Sequence, residues 1–122
     1  MLRLLSGLIL TLIIATVGCQ NPPNTSDMLE SSAGVERMRA VARLSDEHRW
    51  SNVPVFIRHL EDPDVSVRWA AIQSLEAQVG TDFGFRYNDP PEHRAAAVER
   101  WQHWWQTEGN RGPQVRPSSA AS

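Results

Sequence analysis

The 122-residue chain sets twelve basic residues, all arginine, against fourteen carboxylates, a formal charge of -2 that becomes -3 if Arg3 leaves with a leader. That balance excludes the electrostatic footprint of a nucleic-acid binder, and the lack of lysine excludes Schiff-base chemistry and a phosphate-loop lysine. Cys19 is the one cysteine, which removes disulfide scaffolds, thiolate zinc sites and redox pairs.

In chain order, Met1-Leu2-Arg3 is a short positive start, and residues 4–17 form an apolar run broken by Ser6, Gly7, Thr11 and Thr16. Fourteen helical residues span roughly 21 Å, short of a hydrocarbon core of about 30 Å, so residues 1–18 read as a signal peptide and not a spanning helix. The run ends in Ala15-Thr16-Val17-Gly18-Cys19, which resembles the bacterial lipobox; Thr16 stands where that motif usually has leucine. The resemblance implies cleavage before Cys19, attachment of palmitate-type acyl chains to it, and a membrane-anchored lipoprotein of the cell envelope. Gln20 stands where an aspartate would imply retention at the inner membrane, so the outer membrane is preferred. Residues 19–34, with Asn21-Pro22-Pro23-Asn24-Thr25-Ser26, are expected to be the lipidated cysteine and a flexible tether.

Residues 35–108, roughly 75 in number, carry the periodic apolar pattern of a single small domain whose core is marginal by itself. Val35, Met38, Val41 or Ala42, and Leu44 predict an amphipathic helix over 35–46, with Glu36, Arg37, Arg39 and Arg43 on its solvated side. Trp50, in the connector that follows, is expected to touch the core. Asn52 is placed to cap a helix with Pro54 in its first turn, where Val53, Phe56, Ile57 and Leu60 form a stripe and Arg58 and His59 face solvent. Asp62-Pro63-Asp64 stops that helix and Asp64 caps the next, which runs over 65–79 to a left-handed Gly80.

Pro54, Asp62 and Arg68, spaced within this hairpin and followed by Ala70-Ala71-Ile72 and Leu75, resemble a HEAT repeat of the short, phycobiliprotein-lyase type. The resemblance implies an all-α fold, a short α-α superhelix of about four helices, in which Pro54, Asp62 and Arg68 are structural and Asp62 and Arg68 contribute to a hydrogen-bonded ladder between repeats. It covers about one repeat, with 35–46 as a candidate second helix of a degenerate preceding one.

Residues 81–89, with Phe83, Phe85 and Tyr87 alternating with smaller or polar residues, read as an extended segment laid across helix ends. Asn88 or Asp89 then precedes Pro90-Pro91-Glu92 and a last helix with Ala97, Val98, Trp101, Trp104 and Trp105 on one side. Residues 109–122 read as a disordered tail.

Trp101, Trp104 and Trp105 at helical spacing read first as core, with Tyr87, Trp101 and Trp105 as candidate partner-binding residues on the rim. The four histidines lack metal-ligand spacing, and no nucleophile elbow or glycine-rich phosphate loop is present. No catalytic residue, metal or cofactor is expected, and a bilin-lyase activity lacks a thiol or active site to carry it. The expected function is a membrane-anchored protein-binding or scaffolding module, with a protein and the membrane as partners and no nucleic acid. The alternative is a lipoprotein that binds glycan or another small ligand on an aromatic platform.

Overall fold

Apolar residues three and four apart become five α-helices: α1 (Thr25–Leu29), α2 (Gly34–Asp46), α3 (Val53–His59), α4 (Val65–Val79) and α5 (Pro91–Thr107). Single 3₁₀ turns lie at Trp50–Asn52 and Gly109–Arg111, and no strand occurs among the described residues, so the fold is all-α. The structure is a computed structural model that describes residues 21–113; the leader, Cys19 and residues 114–122 lie outside them.

The hairpin of α3 and α4 has the local chemistry expected of it. Pro54 sits in the first turn of α3, the Asp64 carboxylate accepts the Ser66 N–H at 2.8 Å as the cap of α4, and Gly80 ends α4 at φ 84°. That φ lies in the left-handed region, where a Cβ is costly and glycine is not. Val53, Phe56, Leu60, Val67, Ala71 and Leu75 are fully buried, and Ala40, Val41, Ala97, Val98, Trp101 and Phe85 complete the core from α2, α5 and the 81–89 loop.

Residues 24–31 depart from the tether expected over 19–34. Asn24 caps α1, accepting from Ser26 N–H at 3.2 Å, and Met28 is buried where α1 packs on α2, while Leu29 reaches the main core. Two apolar side chains with a capped turn hold a segment whose polar neighbours hid them. The tail expected from 109 onward likewise begins as structure, because Gly109 is buried and its carbonyl accepts the Trp50 indole N–H at 2.7 Å. A Cβ at Gly109 would meet the Trp104 and Trp105 rings at 2.7–2.8 Å, so the close approach requires glycine.

Helices α2 and α4 share the widest contact of the fold. They start side by side: a Cβ on Gly34 would lie 2.0 Å from Asp64 Oδ2. The Asn52 side chain does not cap α3; its Nδ2 donates to the last turn of α2 at Leu44 O, at 3.0 Å. His59, expected to face solvent, is 5% exposed, and its ring donates from Nδ1 to Val55 O at 2.8 Å, which satisfies the buried nitrogen within its own helix. Val35, expected on the apolar side of α2, is 48% exposed.

One buried group lacks such a partner. Neither Oε1 nor Nε2 of Gln78 has a hydrogen-bond partner among the described residues, although both atoms are out of solvent. An unmade buried hydrogen bond costs roughly 1–3 kcal/mol, so Gln78→Met, which keeps the length and removes the polarity, is expected to stabilise the domain by about 1 kcal/mol. Thermal unfolding followed by circular dichroism checks this; a lowered midpoint would show that the amide is satisfied in solution.

Candidate functional site

Three structural features involve the residues singled out by the sequence, and they occupy different places. The first is the turn between α3 and α4. Asp62 is 8% exposed and receives Arg37 of α2 in a two-pronged pair, Nε to Oδ2 and Nη2 to Oδ1, both at 2.8 Å. Its Oδ1 also accepts the Asp64 N–H at 2.8 Å. Burial pushes the Asp62 carboxyl up, but the Arg37 and Asp64 hydrogen bonds and the positive charge of Arg37 outweigh burial and hold it below the usual carboxylate range. The hydrogen bonds to Asp62 raise Arg37 from its usual value.

Arg37, placed by sequence spacing on the solvated side of α2, is thus the partner of Asp62. Arg68 takes a different set of acceptors: Nη1 donates to Asp62 O at 2.8 Å and Pro63 O at 3.0 Å, and Nε donates to Tyr87 O at 2.9 Å. Burial lowers Arg68 from its usual value, with the nearby positive charge of Arg94 adding to it. The two arginines are equivalent. Each is the fourth residue of its helix, and each sends Nη1 back six residues, Arg37 to Ser31 O at 2.7 Å and Arg68 to Asp62 O. Shifted by that same thirty-one residues, Leu29-Glu30, Ala40-Val41 and Leu44 fall on Leu60-Glu61, Ala71-Ile72 and Leu75. The pair α1/α2 is a shortened copy of α3/α4.

The second feature is the last helix and the loop before it. The 81–89 loop is a series of turns and not an extended segment, because Phe83 (φ 48°) and Gly84 (φ 77°) both turn left-handed. Its carbonyls are taken by side-chain donors: Trp101 Nε1 to Asp82 O at 3.0 Å, Arg100 Nε to Phe83 O at 2.8 Å and Arg94 Nη1 to Asp89 O at 2.6 Å. Neither Asn88 nor Asp89 caps α5, whose N-cap position is Pro90. Trp101 is fully buried, with Phe83 edge-on at 4.7 Å, so it belongs to the core and not to a binding rim. Trp50 packs at 6.0 Å from Trp104 and 6.4 Å from Trp105, as a core contact of the connector.

Trp104 and Trp105 stay half-buried and each lines a groove beside α5. The groove of about 240 Å³ between α3 and α5 has Pro54, Ile57 and Trp105 as apolar surface with Arg58, Glu61, Gln102 and Gln106 around them. The other, of about 510 Å³, sets Phe83 and Trp104 among Glu99, Arg100, His103 and Glu108.

The third feature is the α2/α4 face, where Tyr87 lies. Among the described residues the exposed large apolar side chains are Val35, Val65, Trp69 and Tyr87, at 48%, 46%, 48% and 36%. Met38, Val65, Ser66, Trp69 and Tyr87 line one shallow depression there of about 350 Å³. Val65 and Trp69 belong to an apolar set on α4 that covers more of the helix than one neighbour can bury, which is the signal in the sequence of an exposed face.

Tyr87, Trp101 and Trp105 therefore form no common platform. Among the described residues no three His, Cys, Asp or Glu side chains converge as a metal site, and no helix is long and apolar enough to cross a membrane. The fold and these surfaces define a small all-α protein with two tryptophan-lined grooves and one exposed apolar face. Compared with protein-family models, curated proteins and solved structures, the chain matches none.

Proposed function

We propose that the chain is a bacterial envelope lipoprotein, held on a membrane through a lipidated Cys19, whose helical domain is a protein-binding or scaffolding module and not an enzyme. The lipobox-like Ala15–Cys19 stretch supports the anchor. A HEAT-like reading draws support from the thirty-one-residue correspondence and from Arg37, which bonds across from one helix pair to the Asp62 turn of the next. Such arrays act by presenting surface.

The observation that carries the binding role is the pair of grooves flanking α5, each with a half-buried tryptophan ringed by charged or amide groups. A large indole partly out of solvent beside adjustable polar groups is the composition of an interface hot spot. A pull-down of the tagged full-length chain from detergent-solubilised membranes tests it. A partner is expected on the wild type, with recovery reduced about tenfold or more by Trp105→Ala and also by Gln102→Ala/Gln106→Ala, whose side chains are exposed. Wild-type recovery no greater than that of an unrelated lipoprotein would remove the proposal.

A glycan reading rests on the smaller groove alone, where the Trp105 ring lies beside Gln102, Gln106 and Arg58, groups suited to sugar hydroxyls. Titration of indole fluorescence with cell-wall glycans separates the two, since a flat curve leaves only a protein ligand.

A further inference from the structure

We propose that the α2/α4 face is where the domain rests on the bilayer, with Met38, Val65, Trp69 and Tyr87 entering the headgroup region. This deepens the lipoprotein reading and rests on its anchor.

Chemistry separates this face from the α5 grooves. Both α5 grooves carry carboxylates and guanidinium groups, whereas the depression lined by Met38, Val65, Ser66, Trp69 and Tyr87 contains no charged side chain. Charges are costly to take out of water, and an uncharged surface has no such penalty. Trp and Tyr, with an apolar body and one polar atom, suit the boundary between headgroup and acyl chain. A soluble surface rarely gathers its exposed large apolar side chains in one place without a partner for them.

Reach selects the partner. Because α1 begins at Thr25 and packs on α2, only residues 20–24 separate Cys19 from the folded domain. Five residues extend at most about 18 Å, and a helix with its side chains is about 10–12 Å across. An anchored Cys19 therefore keeps the domain at the membrane surface, where an exposed apolar face meets the bilayer before any other partner. A few partly exposed apolar groups bind a bilayer weakly when free in solution. Tethering raises the effective concentration of the bilayer to roughly the millimolar range, where weak insertion is enough.

The test reconstitutes the mature chain, lipidated at Cys19, into phosphatidylethanolamine/phosphatidylglycerol vesicles, with or without brominated acyl chains. Subtracting the emission of Trp69→Phe from that of the wild type isolates Trp69. Brominated lipid is expected to lower the Trp69 emission about twofold or more, to leave the Trp105 contribution unchanged, and to lose its effect in Val65→Ser. Equal Trp69 emission in the two kinds of vesicle would overturn the proposal. So would protection of Trp69 from iodide in the absence of lipid, which means that a second copy of the chain covers it. Radiolabelled palmitate on wild type but not on Cys19→Ser is scored separately. Its failure removes the anchor reading, whereas failed quenching in a labelled chain removes only the membrane-facing surface.

Discussion

Asp62→Ala is expected to destabilise the domain by about 2–4 kcal/mol, the cost of removing two charge-assisted hydrogen bonds from a largely covered guanidinium that keeps only Ser31 O as an acceptor. The Asp62 and Arg37 side chains are 5% and 13% exposed, and the two 2.8 Å hydrogen bonds between them join α2 to the α3/α4 turn. A domain of this size has about 5–10 kcal/mol of stability in all, so the variant should be partly unfolded at physiological temperature. Urea unfolding at neutral pH measures it. Arg37→Ala should cost less, since a carboxylate left alone can take up a proton, and Arg37→Met/Asp62→Leu should recover much of the loss, because apolar groups need no partner. A cost below about 1 kcal/mol for Asp62→Ala would mean that the pair is solvated and energetically minor.

The same carboxylate sets an acid limit. Its folded-state pKa is depressed, so the stabilisation is fully present above the unfolded value near 4 and is lost as pH falls through the lower folded value. Urea midpoints of the wild type should therefore decline below about pH 4 more steeply than those of Asp62→Asn, which has no carboxyl to protonate at that position.

Much of the fold was legible because its signals are local. The Asp62-Pro63-Asp64 turn, Pro54, the Asp64 cap and Gly80 each fix backbone conformation through one or two residues, and α3, α4 and their core follow from them. The partner of Asp62 was not legible in the same way. On a helical wheel Arg37 falls with the charged residues of α2, and only the packing of that helix against α4 brings its guanidinium to a buried carboxylate. The trace that existed was the repeat. Arg37 stands thirty-one residues before Arg68 with alanine, a β-branched residue and leucine following at equal intervals, and reading 24–31 as a tether cut that copy in half.

The candidate binding residues were less legible than the fold. Helical spacing places Trp101, Trp104 and Trp105 on one side of α5, but it cannot say that Trp101 points into the centre while its neighbours remain at the edge. Tyr87 stands with Trp101 and Trp105 among the candidate binding residues, yet left-handed turns at Phe83 and Gly84 and the Arg68 hydrogen bond to its carbonyl carry it to the α2/α4 face. Loop geometry decides such placements, and a pattern of aromatic residues does not encode it.

Trp101→Ala is the second substitution with a large expected cost, about 3–5 kcal/mol, and its effect should be uneven along the chain. Trp101 is fully buried, packs edge-on against Phe83 and at 5.6 Å from Trp104, and closes the Asp82 carbonyl with its indole N–H. Removing it leaves a cavity where α5 meets the core and frees the turn that holds Phe83 left-handed, a conformation costing a bulky residue of order 1 kcal/mol or more. The 81–89 loop should then exchange its amide hydrogens faster than α2 and α4, which pack chiefly on each other and on α1 and α3. Trp101→Phe keeps most of the aromatic volume and loses the hydrogen bond, so it should cost about 1–2 kcal/mol with the same loop most affected. Hydrogen exchange read by mass spectrometry under native conditions distinguishes the outcomes. Uniform acceleration across all helices would indicate that α5 and its loop unfold only with the whole domain. Unchanged exchange at 81–89 would show that Trp101 fills volume without fastening the loop to α5.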